Sequence, residues 1–208
     1  MKYRDAARKV LARLPKYRNY VWEPNLRLPL GSFDGYADSI EGAIYLVNRE
    51  PVPEALGWIE SEIKVMLAMQ QADGHIENWY GEGNFNRTAL LYALMKSQGA
   101  RPDQWRPGIR IGAVRDRERL YLSIQAPGAT RILLDHARHR RVLNFDKNYA
   151  RLNEFPEWYA VDENTLYRLL NDADRSEQLL LGSELIEGVI LPPGNWTVER
   201  ASETRGDR

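Results

Sequence analysis

Apolar residues recur at helical spacing through the first half of the chain and alternate with polar ones through the second. Residues ~3 to 14 place Ala6, Ala7, Val10, Leu11 and Leu14 three or four apart, as one face of a helix requires. A second helix is expected over ~36 to 48, with Ile40, Ala43, Ile44 and Val47 on one face and Arg49-Glu50-Pro51 as its end. A third, over ~52 to 71, aligns Leu56, Ile59, Ile63, Met66, Leu67 and Gln70 and stops at Ala72-Asp73-Gly74. The fourth, ~86 to 98, is almost wholly apolar from Ala89 to Met95, which predicts burial on most sides, and Gly99 fits its C′ position.

From Gly108 onward the period changes from helical to twofold. Strands are expected at Ile109–Val114, Arg119–Ile124, Thr130–Asp135, Arg140–Phe145, Trp158–Val161, Thr165–Leu170, Gln178–Leu181 and Gly188–Leu191, separated by Asp, Gly and Pro turns. Ala100 to Gly108 holds two prolines and a glycine, which is turn chemistry. The expected class is therefore α+β: antiparallel helical hairpins over 1–104, an antiparallel β-sandwich over 105–200 and a disordered tail over 201–208.

Charge and composition narrow the function classes. Lys+Arg and Asp+Glu both number 29, so the formal net charge is 0 and no global field draws the chain to nucleic acid or an anionic membrane. The absence of cysteine removes disulfides, thiolate catalysis and cysteine-ligated zinc. Lys2, Arg4, Arg8, Lys9 and Arg13 interrupt the N-terminus, so no signal peptide is expected, and no run approaches the ~18 apolar residues of a membrane span. The chain as written is expected to be cytoplasmic, or periplasmic or secreted if it is a fragment of a longer protein.

Two segments are dense in functional groups, and each leads into a helix. Ser32-Phe33-Asp34-Gly35-Tyr36-Ala37-Asp38-Ser39-Ile40-Glu41 precedes the second, and Asp73-Gly74-His75-Ile76-Glu77-Asn78-Trp79-Tyr80-Gly81-Glu82-Gly83-Asn84-Phe85-Asn86-Arg87-Thr88 the fourth. Asn84 or Asn86, and Ser32 or Asp34, can act as N-caps. With the third helix as the return, helices two and four run parallel and their N-termini share a face open to anions. Tyr36, Trp79, Tyr80 and Phe85 could supply apolar platforms there.

Two chemistries suit these residues. Asp34 or Asp38 with Glu77 or Glu82 could act as general acid and base. Alternatively His75 or Tyr80 could abstract a proton α to a carboxylate while Asn84 and Arg87 hold the developing enediolate. Competing with both is a purely structural reading: Asp34 and Asn84 as caps, Tyr36 and Trp79 as packing, Arg87 paired with a neighbouring acid. Asp135, His136 and His139 alternate poorly as metal ligands, so neither metal nor cofactor is expected. Arg138 to Arg141 reads as a solvated turn, and Arg205-Gly206-Asp207 as a chance tripeptide.

Helical hairpins joined by aromatic and acidic loops and followed by a sandwich resemble the bacterial carbohydrate-active proteins built on an (α/α) toroid. Asp34-Gly35-Tyr36-Ala37-Asp38-Ser39-Ile40-Glu41, Gln71-Ala72-Asp73-Gly74 and Gly81-Glu82-Gly83-Asn84-Phe85-Asn86-Arg87-Thr88-Ala89-Leu90 look like inner-helix entries of such toroids. Asn144-Phe145-Asp146 through Arg151-Leu152-Asn153-Glu154-Phe155-Pro156-Glu157-Trp158 looks like part of the sandwich. The resemblance implies a glycoside hydrolase or polysaccharide lyase acting on an oligosaccharide or polysaccharide. Catalysis would fall to Asp34, Asp38, His75, Tyr80, Glu82 and Arg87, and substrate binding to Tyr36, Glu77, Trp79, Asn84, Phe85 and Asn86. A closed toroid uses far more helices than these, so a homo-oligomer or a partner supplying the missing half is expected. The alternative is a non-catalytic interaction module.

Overall fold

The computed structural model describes residues 2–17, 32–74, 76, 83–149 and 155–201, with side chains from Gly35 onward in the second helix. Among these residues the fold is mixed α+β, with six helices and mainly antiparallel sheets. The chain divides into two compact units, Met1–Ala93 with Ala150–Pro156, and Leu94–Tyr149 with Glu157–Arg208.

The first unit holds α1 (Lys2–Leu11), a 3₁₀ turn (Leu14–Tyr17), α2 (Ser32–Arg49), α3 (Pro53–Ala68) and most of α4 (Asn84–Lys96). α1 is shorter than its periodicity predicts and buries only Leu11; Val10, expected on the apolar face, is exposed. Charge holds it instead: Arg4 and Arg8 both pair with Glu50, just past the end of α2, Arg8 Nε lying 2.6 Å from Oε2. Burial pushes the Glu50 carboxyl up, but hydrogen bonds from Arg8 and Arg4 outweigh it and hold the group below its ordinary pKa.

α3 opens with Pro53 at its first position, where the missing N–H costs nothing. Its buried stripe is Ala55, Trp58, Ile59, Glu62, Ile63 and Met66, and Leu56 and Leu67 are left exposed. The observed face is thus rotated from the one periodicity predicts, because Trp58, absent from that pattern, goes inside. α4 is buried along one stripe, Phe85, Thr88, Leu91 and Met95, with Leu90 exposed, so the expectation of burial on most sides does not hold. It ends in a Schellman arrangement: Gly99 N–H donates to Leu94 O at 2.8 Å and Gln98 N–H to Met95 O at 3.2 Å. Gln98 (φ 51°) therefore occupies C′, and Gly99 (φ 83°) sits one place beyond its expected position.

The second unit carries β1 (Arg101–Pro102), β2 (Arg110–Asp116), β3 (Arg119–Gln125), β4 (Thr130–Leu133), β5 (Asp135–His136), α5 (Arg138–Arg141), β6 (Ala160–Val161), β7 (Leu166–Asn171), β8 (Glu177–Leu181), α6 (Gly182–Glu187), β9 (Val189–Leu191) and β10 (Gly194–Arg200). A five-stranded antiparallel sheet has the order β2-β3-β10-β7-β8, a three-stranded one β1-β4-β9, and β5 pairs with β6 in parallel. β10, which periodicity did not single out, is the central strand. The segment Arg140–Phe145, expected as a strand, is instead the helical turn α5 and a loop. Four consecutive polar residues, Arg138 to Arg141, offer no alternation; the Arg140 and Arg141 N–H groups donate to the Ala137 carbonyl, and those of Val142 and Leu143 to the Arg138 carbonyl.

Leu120, Leu122, Ile124, Tyr167, Leu169, Trp196 and Val198 of the larger sheet share one buried core with Ile132 of β4 and Leu191 of β9. Alternation sends the intervening residues to the opposite face of the five-stranded sheet. There the register sets Asp116, Arg119, Glu199 and Arg168 in a row across four strands. Arg168 pairs with Glu199, whose other oxygen lies 2.5 Å from Arg119 Nε.

Gly182, at the first position of α6, lies against the Asp162 carbonyl: an added Cβ would stand 2.0 Å from that oxygen. Gly182→Ala should cost about 3 kcal/mol in urea unfolding through overpacking against immovable backbone; an unchanged midpoint would mean the contact relaxes freely. The Arg168 hydrogen bond, against the opposing push of partial burial, and then Arg119 hold the Glu199 carboxyl below its ordinary pKa. A depressed carboxyl pKa contributes stability that is complete above the unfolded value and lost as pH falls through the folded one. Glu199→Gln should therefore lower Tm at neutral pH, and the difference from the native chain should shrink as pH falls through and below the ordinary carboxylate range.

Candidate functional site

The helical periodicity of α2 puts Tyr36, Ala37, Ile40, Ala43, Ile44 and Val47 inside and leaves Asp38 and Ser39 outside. Glu41 falls one turn beyond Ala37 on the inner side, so its carboxylate is drawn out of water. On α4, Arg87 lies next to the buried Thr88, whose hydroxyl donates to the Ala37 carbonyl at 3.3 Å. That contact brings the opening turns of α2 and α4 together and sets the guanidinium over Glu41.

Arg87 Nε donates to Glu41 Oε2 at 2.7 Å, Nη2 lies 2.7 Å from the same oxygen, and Nη2 donates to Asp38 Oδ1 at 3.3 Å. The side chains are graded in exposure, 5 % for Glu41, 41 % for Arg87 and 50 % for Asp38. A buried carboxylate thus anchors the cation, and the cation steadies a carboxylate that faces solvent. The trio carries one positive and two negative formal charges, a poor trap for an anion. Asp38 can accept hydrogen bonds from hydroxyl groups, and Arg87 can donate beside it.

Of the residues expected at a site, Asp38 and Arg87 are brought together, and Asn84 and Asn86 lie in the same first turn of α4, half-buried and exposed respectively. Asn84 is the first residue of the helix, not its cap: Arg87 N–H bonds to Gly83 O at 2.8 Å, which gives the cap position to Gly83. Tyr36 and Phe85, expected as platforms, are each 2 % exposed and belong to the core. His75, Glu77, Trp79, Tyr80 and Glu82, and the side chain of Asp34, lie outside the described residues. Glu41, which orients the trio, was not singled out as a site residue; only a fold that pairs α2 with α4 gives it a role.

A second polar constellation joins His139, weighed from the sequence only as a poor metal ligand, to Glu157 and Asn148, to which the sequence assigned no role. Glu157, 8 % exposed, accepts from the His139 N–H at 2.7 Å and from Asn148 Nδ2 at 2.9 Å, and its Oε2 meets His139 Nδ1 at 2.8 Å. Arg138 forms a fork on Asp135 at 3.1 and 3.0 Å. These bonds close the segment between α5 and Tyr149, and eighteen residues separate His139 from Glu157, so no local spacing announces the pair. Burial pushes the His136 imidazole below its ordinary pKa, with Asp135 opposing and Arg141 and Arg138 assisting. Among the described residues no group of three or more His, Cys, Asp or Glu is gathered to hold a metal ion, and no helix is long and apolar enough to cross a membrane.

No family model matches the chain, and no curated protein or solved structure is significantly similar to it.

Removing the guanidinium strands a buried carboxylate, whereas removing Asp38 deletes a contact already in water. Arg87→Ala should therefore destabilise by about 2–3 kcal/mol in urea and Asp38→Ala by less than about 1 kcal/mol. Equal losses would mean that Glu41 is not what Arg87 serves.

Proposed function

We propose that this chain is a carbohydrate-active protein of the toroid-plus-sandwich kind, glycan hydrolase-like or lyase-like, with its sugar at the N-terminal ends of α2 and α4. The observation that carries the reading is the graded trio of Glu41, Arg87 and Asp38 at the opening turns of those two helices. Asp38 meets the sugar hydroxyls, Arg87 donates beside it, and Glu41 positions Arg87. The sequence resemblance assigns Asp34, His75, Glu77, Trp79, Tyr80 and Glu82 to the same site. Between the two chemistries, the internal neutralisation of Arg87 favours carboxylate chemistry over elimination, since an enediolate needs a cation that is not already shared by two acids.

The supporting architecture is a run of antiparallel helices followed by two sheets around one core, which is how a partial toroid joined to a β-sandwich would be built. A second reading, a module that completes a partner rather than turning over a substrate, is favoured by the same neutralisation together with the burial of Tyr36 and Phe85. Incubation of the purified chain with neutral and uronic-acid oligosaccharides, followed for thermal stabilisation, reducing ends and unsaturated ends, decides between them. Stabilisation that Asp38→Ala abolishes at unchanged Tm supports the sugar site. No response to any sugar, with a defined higher-order species by light scattering, would transfer the assignment to the partner-binding module.

A further inference from the structure

The outward face of the five-stranded sheet carries a depression of about 400 Å³ that is lined by none of Asp38, Glu41 and Arg87. Its cause is a row of small side chains. Gly112 on β2 stands opposite Ser123 on β3, and Ser123 opposite Asn195 on β10. The neighbouring row is taller, with Val114 opposite Tyr121. Lys96 and Asp172 also line the depression. A Cβ added to Gly112 would meet nothing within 4 Å, so packing does not require glycine there. What its absence of a side chain leaves is open floor.

The walls are pre-ordered. Glu199 ties Arg119 to Arg168 across the sheet, and Tyr121 follows Arg119 by two residues on the same face of β3. Asp172 is held by Thr197, whose hydroxyl donates to Oδ1 at 3.0 Å, and by its own N–H on the Asn195 carbonyl at 2.9 Å. An aromatic ring, a hydroxyl, an amide, a carboxylate and a lysine line a hollow within the size range of small-ligand sites. An aromatic ring offers an apolar face to the C–H side of a flat polyol ring, while the amide, hydroxyl and carboxylate exchange hydrogen bonds with its hydroxyl rim.

We propose that this depression is a second, non-catalytic glycan-binding site, taking a short oligosaccharide with one pyranose ring on Tyr121 and its hydroxyl groups on Ser123, Asn195 and Asp172. The site rests on the reading of the chain as carbohydrate-active and extends it to residues of the second unit. Lys96 selects for a carboxylate on the sugar.

The test is calorimetric titration of the full chain with cellotetraose and with tetragalacturonate. Native protein should bind at least one of them. Tyr121→Ala should weaken that binding roughly tenfold or more. Gly112→Val puts bulk on the floor where an added Cβ meets nothing within 4 Å, and it suits a strand, so it should remove the binding that survives in Asp38→Ala while Tm stays level or rises. Lys96→Ala should weaken tetragalacturonate alone. Asp38 does not line the depression, so Asp38→Ala should leave this binding in place. Binding lost in Asp38→Ala but kept in Gly112→Val and Tyr121→Ala would overturn the second site and leave the helix-end reading standing. Binding lost in Gly112→Val and kept in Asp38→Ala supports it, whatever the cleavage assays show at the helix ends. Absence of heat with both tetrasaccharides would overturn it outright.

Discussion

Carboxylates taken out of water impose the main constraint on this chain. Glu41, Glu50 and Glu157 are all buried, and a carboxylate in that position is tolerable only when charge and hydrogen bonds replace its water. Each finds its compensation in a different segment: Arg87 of α4 for Glu41, Arg4 and Arg8 of α1 for Glu50, His139 and Asn148 for Glu157. The acids therefore act as clips. α1, with a single buried leucine, has little else to hold it, and the opening turns of α2 and α4 meet where Glu41 requires a guanidinium.

That requirement places the candidate site. Arg87 sits where it does because Glu41 is inside, and Asp38, one turn before, is outside because of the helical period. The result is a supported polar pair at the surface whose geometry is set from beneath by a group that never meets solvent. The same logic recurs on the sheet, where Glu199 between Arg119 and Arg168 fixes a row of long side chains that would otherwise sample many rotamers. Ordered surroundings are what a binding surface needs if association is not to be spent on ordering side chains.

Much of the architecture was legible because burial and period coincide over long stretches. The helices over α2, α3 and α4 and the strands β2, β3, β7 and β8 follow from apolar spacing to within a few residues. Reading failed where neighbours overrule local pattern. α3 turns its face because the bulk of Trp58 goes inside at the expense of Leu56 and Leu67. β10, with Asn195, Thr197 and Glu199 alternating with Trp196 and Val198, becomes visible as a strand only once β3 and β7 flank it. Arg138 to Arg141 turns into a helical loop that Glu157 secures from eighteen residues away.

The amino-acid sequence by itself determined the class of the fold, the order of its helical and sheet-forming halves, and the absence of cysteine chemistry, since these depend on period and composition alone. It also marked Asp38 and Arg87 as candidates through their place at helix starts. Only the tertiary structure decided that Tyr36 and Phe85 are core, that Glu41 orients Arg87, that Glu157 gathers His139 and Asn148, and that Gly112, Ser123 and Asn195 align into a floor. Each of those is a relation between residues far apart in the chain, and such relations are created by sheet register and helix pairing, which local spacing does not encode.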